Sequence, residues 1–143
     1  MKQLIILGHS NGGIPILVDQ ATEVLGVEKF IVIKNFDLPD IELEKSGFSI
    51  SFLSERDFDF SKIGSRSVQF GVHNCPAKKI LFDHFNSKYG IDKSSYVSLI
   101  HPTSYMAQSA KVGMGAFVEP LTVISSLVQL KFGVTIKRSA SIG

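Results

Sequence analysis

The sequence predicts an α/β protein in two parts. A small parallel sheet covered by helices spans residues 1–100, and the first coils of a parallel β-helix span residues 101–143. Two observations carry this. In the first hundred residues short apolar runs alternate with helical patterns, the signature of strands joined by covering helices. From Met106 onward an aliphatic residue returns at every sixth position: Val112, Val118, Ile124, Leu130, Ile136 and Ile142. Four positions after each comes a small or β-branched residue: Ala110, Ala116, Thr122, Val128, Val134 and Ala140. A helix needs a period of 3.6 and a half-buried strand a period of two. A strict six fits neither, and is the sign of a parallel β-helix in which each hexapeptide forms one flat side of a coil.

The elements follow in order. Gln3 to Leu7 (QLIIL) reads as a buried strand. The turn GHSNGG leads into an amphipathic run with Ile14, Leu17, Val18, Ala21, Val24 and Leu25 at helical spacing. Pro15 suits an early helical position and Gly26 suits the end. KFIVIKN is a second strand, and Gly47 to Leu53 (GFSISFL) a third. SERDFDFSKIGSR reads as polar linking sequence. Ser67 to Val72 (SVQFGV) is a fourth strand. A helix follows over Pro76 to Lys88, with Ile80, Leu81 and Phe85 on one face. Tyr96 to Ile100 (YVSLI) is a last short strand, giving a sheet of four or five. The period changes within Ile100 to Tyr105 (IHPTSY), which marks the boundary.

Composition excludes several classes. Of 143 residues, 44% are hydrophobic and 20% charged, which is ample for a core and excludes disorder. A net charge of +2 gives no electrostatic footprint for nucleic acid. The charge is uneven. Residues 1–99 carry −1 and residues 100–143 carry +3, a basic bias compatible with a phosphate-bearing ligand. The one cysteine, Cys75, permits no disulfide within the chain and fits a reduced compartment. The start is no signal peptide, because its apolar run from Leu4 to Leu7 is short and enters glycines. No stretch approaches a membrane span. A cytoplasmic protein is the expectation.

The turn after the first strand, LIILGHSNGGIP, places Gly8, Gly12 and Gly13 between strand and helix. Such glycines let a ligand approach the backbone, and the helix start favours phosphate. The spacing is not G-x-G-x-x-G, so a tight turn without a ligand remains the alternative. His9 is either a ligand contact or a solvent-facing loop residue. Gly71, His73 and Asn74 follow the fourth strand, where ligands of open α/β sheets gather; ordinary loop chemistry is the other reading. His84 reads as a surface residue on the second helix. His101 reads as an anchor of the junction through a hydrogen bond, with catalysis as the lesser alternative. Lys137 and Arg138 form a coil corner, solvated or attracting phosphate. Four scattered histidines and one cysteine show no metal-ligand spacing, and there is no nucleophile elbow or Walker loop.

The whole chain resembles the sialic acid O-acetyltransferase family of sugar acyltransferases, which includes the nucleotide-sugar N-acetyltransferases that make bacillosamine and acetylated perosamine. IILGHSNGG resembles the family's first loop, ilGasGhg. VQFGVHN resembles iaiGdN. The stretch from Leu99 to Gly143 resembles the junction lIHPsA and the first hexapeptide coils in order and phase. The resemblance implies a Rossmann-like domain holding a UDP- or GDP-linked sugar. It also implies a left-handed β-helix with three hexads, about eighteen residues, per coil. It implies a homotrimer, with acetyl-CoA bound between neighbouring β-helices, and a histidine base that takes a proton from the sugar amine or hydroxyl.

Carried over residue by residue, Gly8, Ser10, Asn11 and Gly12 match the nucleotide-sugar loop, although Gly12 stands where the family has its usual histidine. Asn35 stands where an acidic residue often touches the nucleoside. Gly71 matches the glycine after strand four. Pro76 and Ala77 stand where an arginine is expected. No residue of the chain occupies the catalytic position, which in the family follows sasIG directly and so is expected immediately after Gly143. The expectation is therefore a shortened chain, lacking the base and most of the acetyl-CoA site, of an acetyl-CoA-dependent sugar O- or N-acetyltransferase serving surface glycan synthesis. The alternative is a nucleotide-sugar-binding and trimerisation module without catalysis. A hexapeptide-repeat carbonic anhydrase would need histidine ligands on the coil, and residues 106–143 contain none.

Overall fold

The computed structural model describes residues 2–35 and 48–143. Four parallel strands make one sheet: β1 (Gln3–Leu7), β2 (Lys29–Lys34), β3 (Ser49–Ser54) and β4 (Val68–Phe70), in the order β3-β2-β1-β4. Gly47, expected to open the third strand, lies outside the described residues. The central strand β1 is apolar on both faces because both are covered. Leu4 and Ile6 pack with helix α1 (Gly13–Leu25), and Ile5 and Leu7 pack with the cluster that holds helix α2 (Cys75–Tyr89). Gly26 ends α1 in the left-handed conformation, φ 64°, its N–H capping the last carbonyls. Asn74 caps α2, its side chain accepting from the Ala77 N–H at 3.0 Å.

The second half is a coil of two-residue strands. These are β5 (Leu99–Ile100), β6 (Tyr105–Met106), β7 (Lys111–Val112), β8 (Phe117–Val118), β9 (Val123–Ile124), β10 (Gln129–Leu130), β11 (Thr135–Ile136) and β12 (Ser141–Ile142). They stack in three parallel sheets, β5-β8-β11, β6-β9-β12 and β7-β10. Leu99 faces Phe117, which faces Thr135, so one turn takes eighteen residues, as the hexad count requires. The every-sixth residues point inward: Val118, Ile124, Leu130 and Ile136 are buried, with Ile100, Met106, Val112 and Ile142 packed against them. The small residues four positions later fill the corners, since Ala110, Val128, Val134 and Ala140 join the same cluster. The corners turn through a positive φ at every sixth residue: Gly115, Leu121, Leu127, Gly133 and Ser139, at 60° to 70°.

Three sequence expectations change. Tyr96 to Ile100 does not join the α/β sheet as a fifth strand. Tyr96 makes a single bridge to Val68, and Leu99–Ile100 is the first rung of the coil. The apolar pattern of YVSLI fits either sheet, and the pairing of β5 with β8 decides it. Ile80 does not share the buried face of α2: it is 70% exposed, whereas Leu81 and Phe85 are buried. Leu81 and Phe85 are four residues apart and align; Ile80, one residue off, points about 100° away. The polar link after β3 is anchored. Phe60 is buried and stacks on Tyr89 at 3.9 Å, and Glu55 meets His84, Lys88 and Tyr89.

Buried donors dock the two halves. The Gln20 amide donates to the Leu99 and Val118 carbonyls at 3.3 and 2.8 Å. The Gln69 amide donates to Val97 and Gly115 at 2.9 and 3.2 Å. Lys78 Nζ donates to the Gly133 carbonyl at 2.7 Å and to Thr135 Oγ1. Phe117 and Leu99 complete the seam by entering the α1 core cluster.

The inward ladder carries the coil. Ile124→Ala, at a fully buried position, is expected to lower unfolding free energy by roughly 2–5 kcal/mol in a denaturant titration. Lys111→Ala, at an exposed position on the β7–β10 face, is expected to change it by less than about 0.5 kcal/mol.

Candidate functional site at the carboxyl edge of the sheet

The sheet order reverses between β1 and β4, so the crevice at their carboxyl ends is the place where open α/β sheets bind ligands. The glycines there are explained first by packing. A Cβ on Gly71 would lie 2.2 Å from the Gly8 carbonyl oxygen, and one on Gly13 would lie 2.5 Å from the Gly71 oxygen. Gly8 itself has φ +90° and Leu81 Cδ1 at 2.7 Å from its Cβ position. The two loops therefore touch backbone to backbone, and Ser10 braces them: its Oγ donates to the Gly71 carbonyl at 2.7 Å and accepts from the Gly13 N–H at 3.0 Å.

Asn35 has a structural task too. Its Oδ1 accepts from the His9 N–H at 2.7 Å, holding the glycine turn against the end of β2. His9 is not solvent-facing: it is 1% exposed, edge-on to Phe52 at 5.2 Å. Of the six residues the sequence singles out, Gly8, Ser10, Asn35 and Gly71 shape the edge, while Asn11 and Gly12 are exposed on it.

Two hollows open beside this frame. One of about 420 Å³ lies between the end of β2 and α2, lined by Lys34, Asn35, Ala77, Ile80, Leu81 and His84 among others. The second, about 440 Å³, lies between β2 and the end of β3 and shares Lys34 and Asn35 with the first. Both fall in the size range of small-molecule sites. The sequence reading missed Lys34, Ile80 and His84 as lining residues. An isoleucine out of phase with its helix's buried stripe is the signal that could have marked Ile80. His84 is held by Glu55, whose carboxyl is lowered by bonds to Lys88, His84 and Tyr89 that outweigh its burial.

His73 follows β4 but turns toward the coil. Its ring stacks on Phe117 at 5.4 Å and 10°, and Nδ1 lies 3.4 Å from Thr135 Oγ1. Burial, reinforced by the Lys137 and Lys78 ammoniums, pushes it down to about 4. His101 anchors the junction. Its Nδ1 accepts from the Thr103 N–H at 3.1 Å, and its Nε2 lies 3.2 Å from Glu23 on α1. Lys137 and Arg138 turn to the buried Glu119, at 3.9 and 2.7 Å. Among the described residues, no three His, Cys, Asp or Glu side chains come together as metal ligands, and no helix is long and apolar enough to cross a membrane.

The depressed His73 gives a pH prediction. Between pH 6.5 and about 4 the unfolded chain binds a proton at this residue that the folded chain does not. Stability is therefore lost as pH falls through that window and recovered as it rises. The expected loss is about 1–3 kcal/mol. Comparing thermal melts of wild type and His73→Gln from pH 7 to 4 checks it: the variant's decline should be shallower by that amount.

No family model and no curated sequence matches the chain. Solved structures do. The chain is similar to the acetyltransferase domain of PglB from Neisseria gonorrhoeae FA1090 in complex with acetyl coenzyme A. The TM-score is 0.71 at 16% identity, over 99% of this chain and 65% of that one. It is also similar to PerB from Caulobacter crescentus in complex with CoA and GDP-perosamine. There the TM-score is 0.70 at 13% identity, over 97% of this chain and 62% of that one. The chain thus spans somewhat less than two thirds of the length of these neighbours. At such identities the likeness establishes the fold: a small parallel α/β sheet followed by coils of a left-handed parallel β-helix.

Proposed function

We propose that this chain is the sugar-nucleotide-binding part of an acetyltransferase that moves an acetyl group from acetyl-CoA to a UDP- or GDP-linked amino sugar. The observation that carries the reading is the pair of hollows at the carboxyl ends of β2 and β3, beside a glycine turn opening onto a helix, in a fold shared with acetyltransferases in complex with CoA or acetyl-CoA. The nucleoside fits the space between Lys34, Ile80 and His84. The diphosphate fits the exposed Asn11–Gly12 start of α1, where the positive end of the helix dipole favours anions.

The chemistry is acyl transfer. The acceptor amine or hydroxyl attacks the thioester carbonyl carbon, the C–S bond breaks, and CoA leaves as thiolate. A base takes the acceptor's proton, and a neutral imidazole suits that task near pH 7. Membership of the sialic acid O-acetyltransferase subtype, a place in surface glycan synthesis and cytoplasmic residence are parts of the same proposal. So is a homotrimer. The face made by β6, β9 and β12 supports it, because Tyr105 and Val123 are exposed there, with Leu121 and Leu127 on the flanking corners. Two leucines held at positive φ with their side chains in water meet a double cost that burial against another copy would offset. A binding and trimerisation module without catalysis is the second reading, favoured by the engagement of His73 and His101, the two histidines nearest the coil, in packing and junction contacts.

Calorimetric titration with GDP- and UDP-linked amino sugars tests the binding claim. Saturable binding by one of them is expected, weakened at least about tenfold in Ile80→Glu, a change of about 1.4 kcal/mol or more. Binding unchanged in that variant, or none in wild type, contradicts the site. Sedimentation of the same samples is expected to give three chains.

A further inference from the structure

A further hollow of comparable size lies on the opposite flank of α2, about 450 Å³, between that helix and the coil corner at 131–134. It shares no lining residue with the two hollows at the sheet edge. Its floor is aromatic. Phe70, Phe82 and Phe132 meet there, with Phe82 and Phe132 centroids 5.0 Å apart and Phe70 and Phe132 6.1 Å apart. Its walls are cationic. Lys78, Lys93 and Lys131 line it, and Lys93 Nζ sits 5.3 Å over the Phe132 ring.

None of these three ammoniums has a carboxylate within salt-bridge distance among the described residues. Lys78 is only 6% exposed, and its ammonium is held by neutral acceptors, the Gly133 carbonyl and Thr135 Oγ1. Lys131 reaches the Gln129 side-chain oxygen at 3.3 Å. The one carboxylate on the wall, Asp83, is taken by Lys79 at 3.0 Å. Burial without a counter-charge draws the Lys78 ammonium down to about 8. A buried charge held only by neutral groups is costly, and an anion in the hollow supplies what it lacks.

We propose that this hollow binds a nucleoside phosphate, at a site separate from the sheet edge. Phosphate oxygens accept charge-assisted hydrogen bonds from Lys93, Lys131 and the Lys78 ammonium. A nucleobase lies flat or edge-on against the Phe132 and Phe82 rings, as bases do on aromatic platforms. The volume admits a ligand of that size. A small carboxylate would leave the aromatic floor uncovered, and an uncharged ring would leave the lysines unpaired.

Cys75 makes the test local, because its exposed thiol lines the same hollow. The rate of Cys75 alkylation by a maleimide would be followed with ADP as the probe. ADP at ten times its dissociation constant is expected to slow alkylation by about tenfold. The protection should vanish in Lys93→Gln/Lys131→Gln, whose two side chains are exposed and lie outside the buried core. It should persist in Ile80→Glu, which alters only the sheet-edge hollow. Pyrophosphate alone is expected to protect at least about tenfold less well at equal concentration, for want of the ring. No protection by ADP, protection unchanged in the double lysine variant, protection lost in Ile80→Glu, or equal protection by pyrophosphate would each overturn the proposal.

Discussion

The arrangement of this chain depends on three side-chain donors that cross from the α/β layer to the backbone of the coil. The Gln20, Gln69 and Lys78 side chains are buried and end on coil or junction carbonyls. A carbonyl turned into a seam between layers is costly unless it is paired. These residues pair it without interrupting the apolar contact of Leu99 and Phe117 with the α1 core. They also fix where the sheet sits relative to the coil: α1 over one corner, α2 over the next. That placement leaves the carboxyl edge of the sheet open and creates the hollow beneath α2.

At that edge, shape comes from backbone contact. Gly8, Gly13 and Gly71 are there because two loops and a helix start approach within the space of a Cβ, and Ser10 and Asn35 lock the result. The contacts that hold this frame all lie within the chain. Preorganisation of this kind lowers the ordering cost of binding. On the proposed reading, the ligand-facing chemistry is left to Asn11 and Gly12 at the helix start and to Lys34, Ile80 and His84 around the hollow.

Much of the fold was legible in the sequence, because period reports burial directly. A two-sided apolar run such as LIIL means a central parallel strand. An aliphatic residue every six positions means one inward side chain per coil face, and the eighteen-residue register follows. The coil's corners were not legible. Leu121 and Leu127 adopt a positive φ that local preference assigns to glycine or asparagine, and only the stacking of neighbouring rungs imposes it. The α2 face was misjudged by one residue at Ile80, since apolar character alone does not tell a buried stripe from an exposed one. The site was legible only in outline. The loops of an α/β edge can be found from their glycines, but whether Ser10 or Asn35 faces a ligand or a backbone group depends on contacts across 61 and 26 residues. His73 belongs to the same class: its loop is visible in the sequence, its stacking on Phe117 is not.

The central claim is that a sugar nucleotide sits at the carboxyl edge of the sheet. Mapping backbone amide shifts of the labelled chain during titration with a GDP-linked amino sugar tests it most directly. The account predicts saturable shifts in the Gly8–Gly12 turn, at Lys34–Asn35 and at Ala77, Ile80, Leu81 and His84 on α2, separate from any shifts at the hollow lined by Phe132. Shifts centred on the coil faces, or no shifts at saturating ligand, would contradict it.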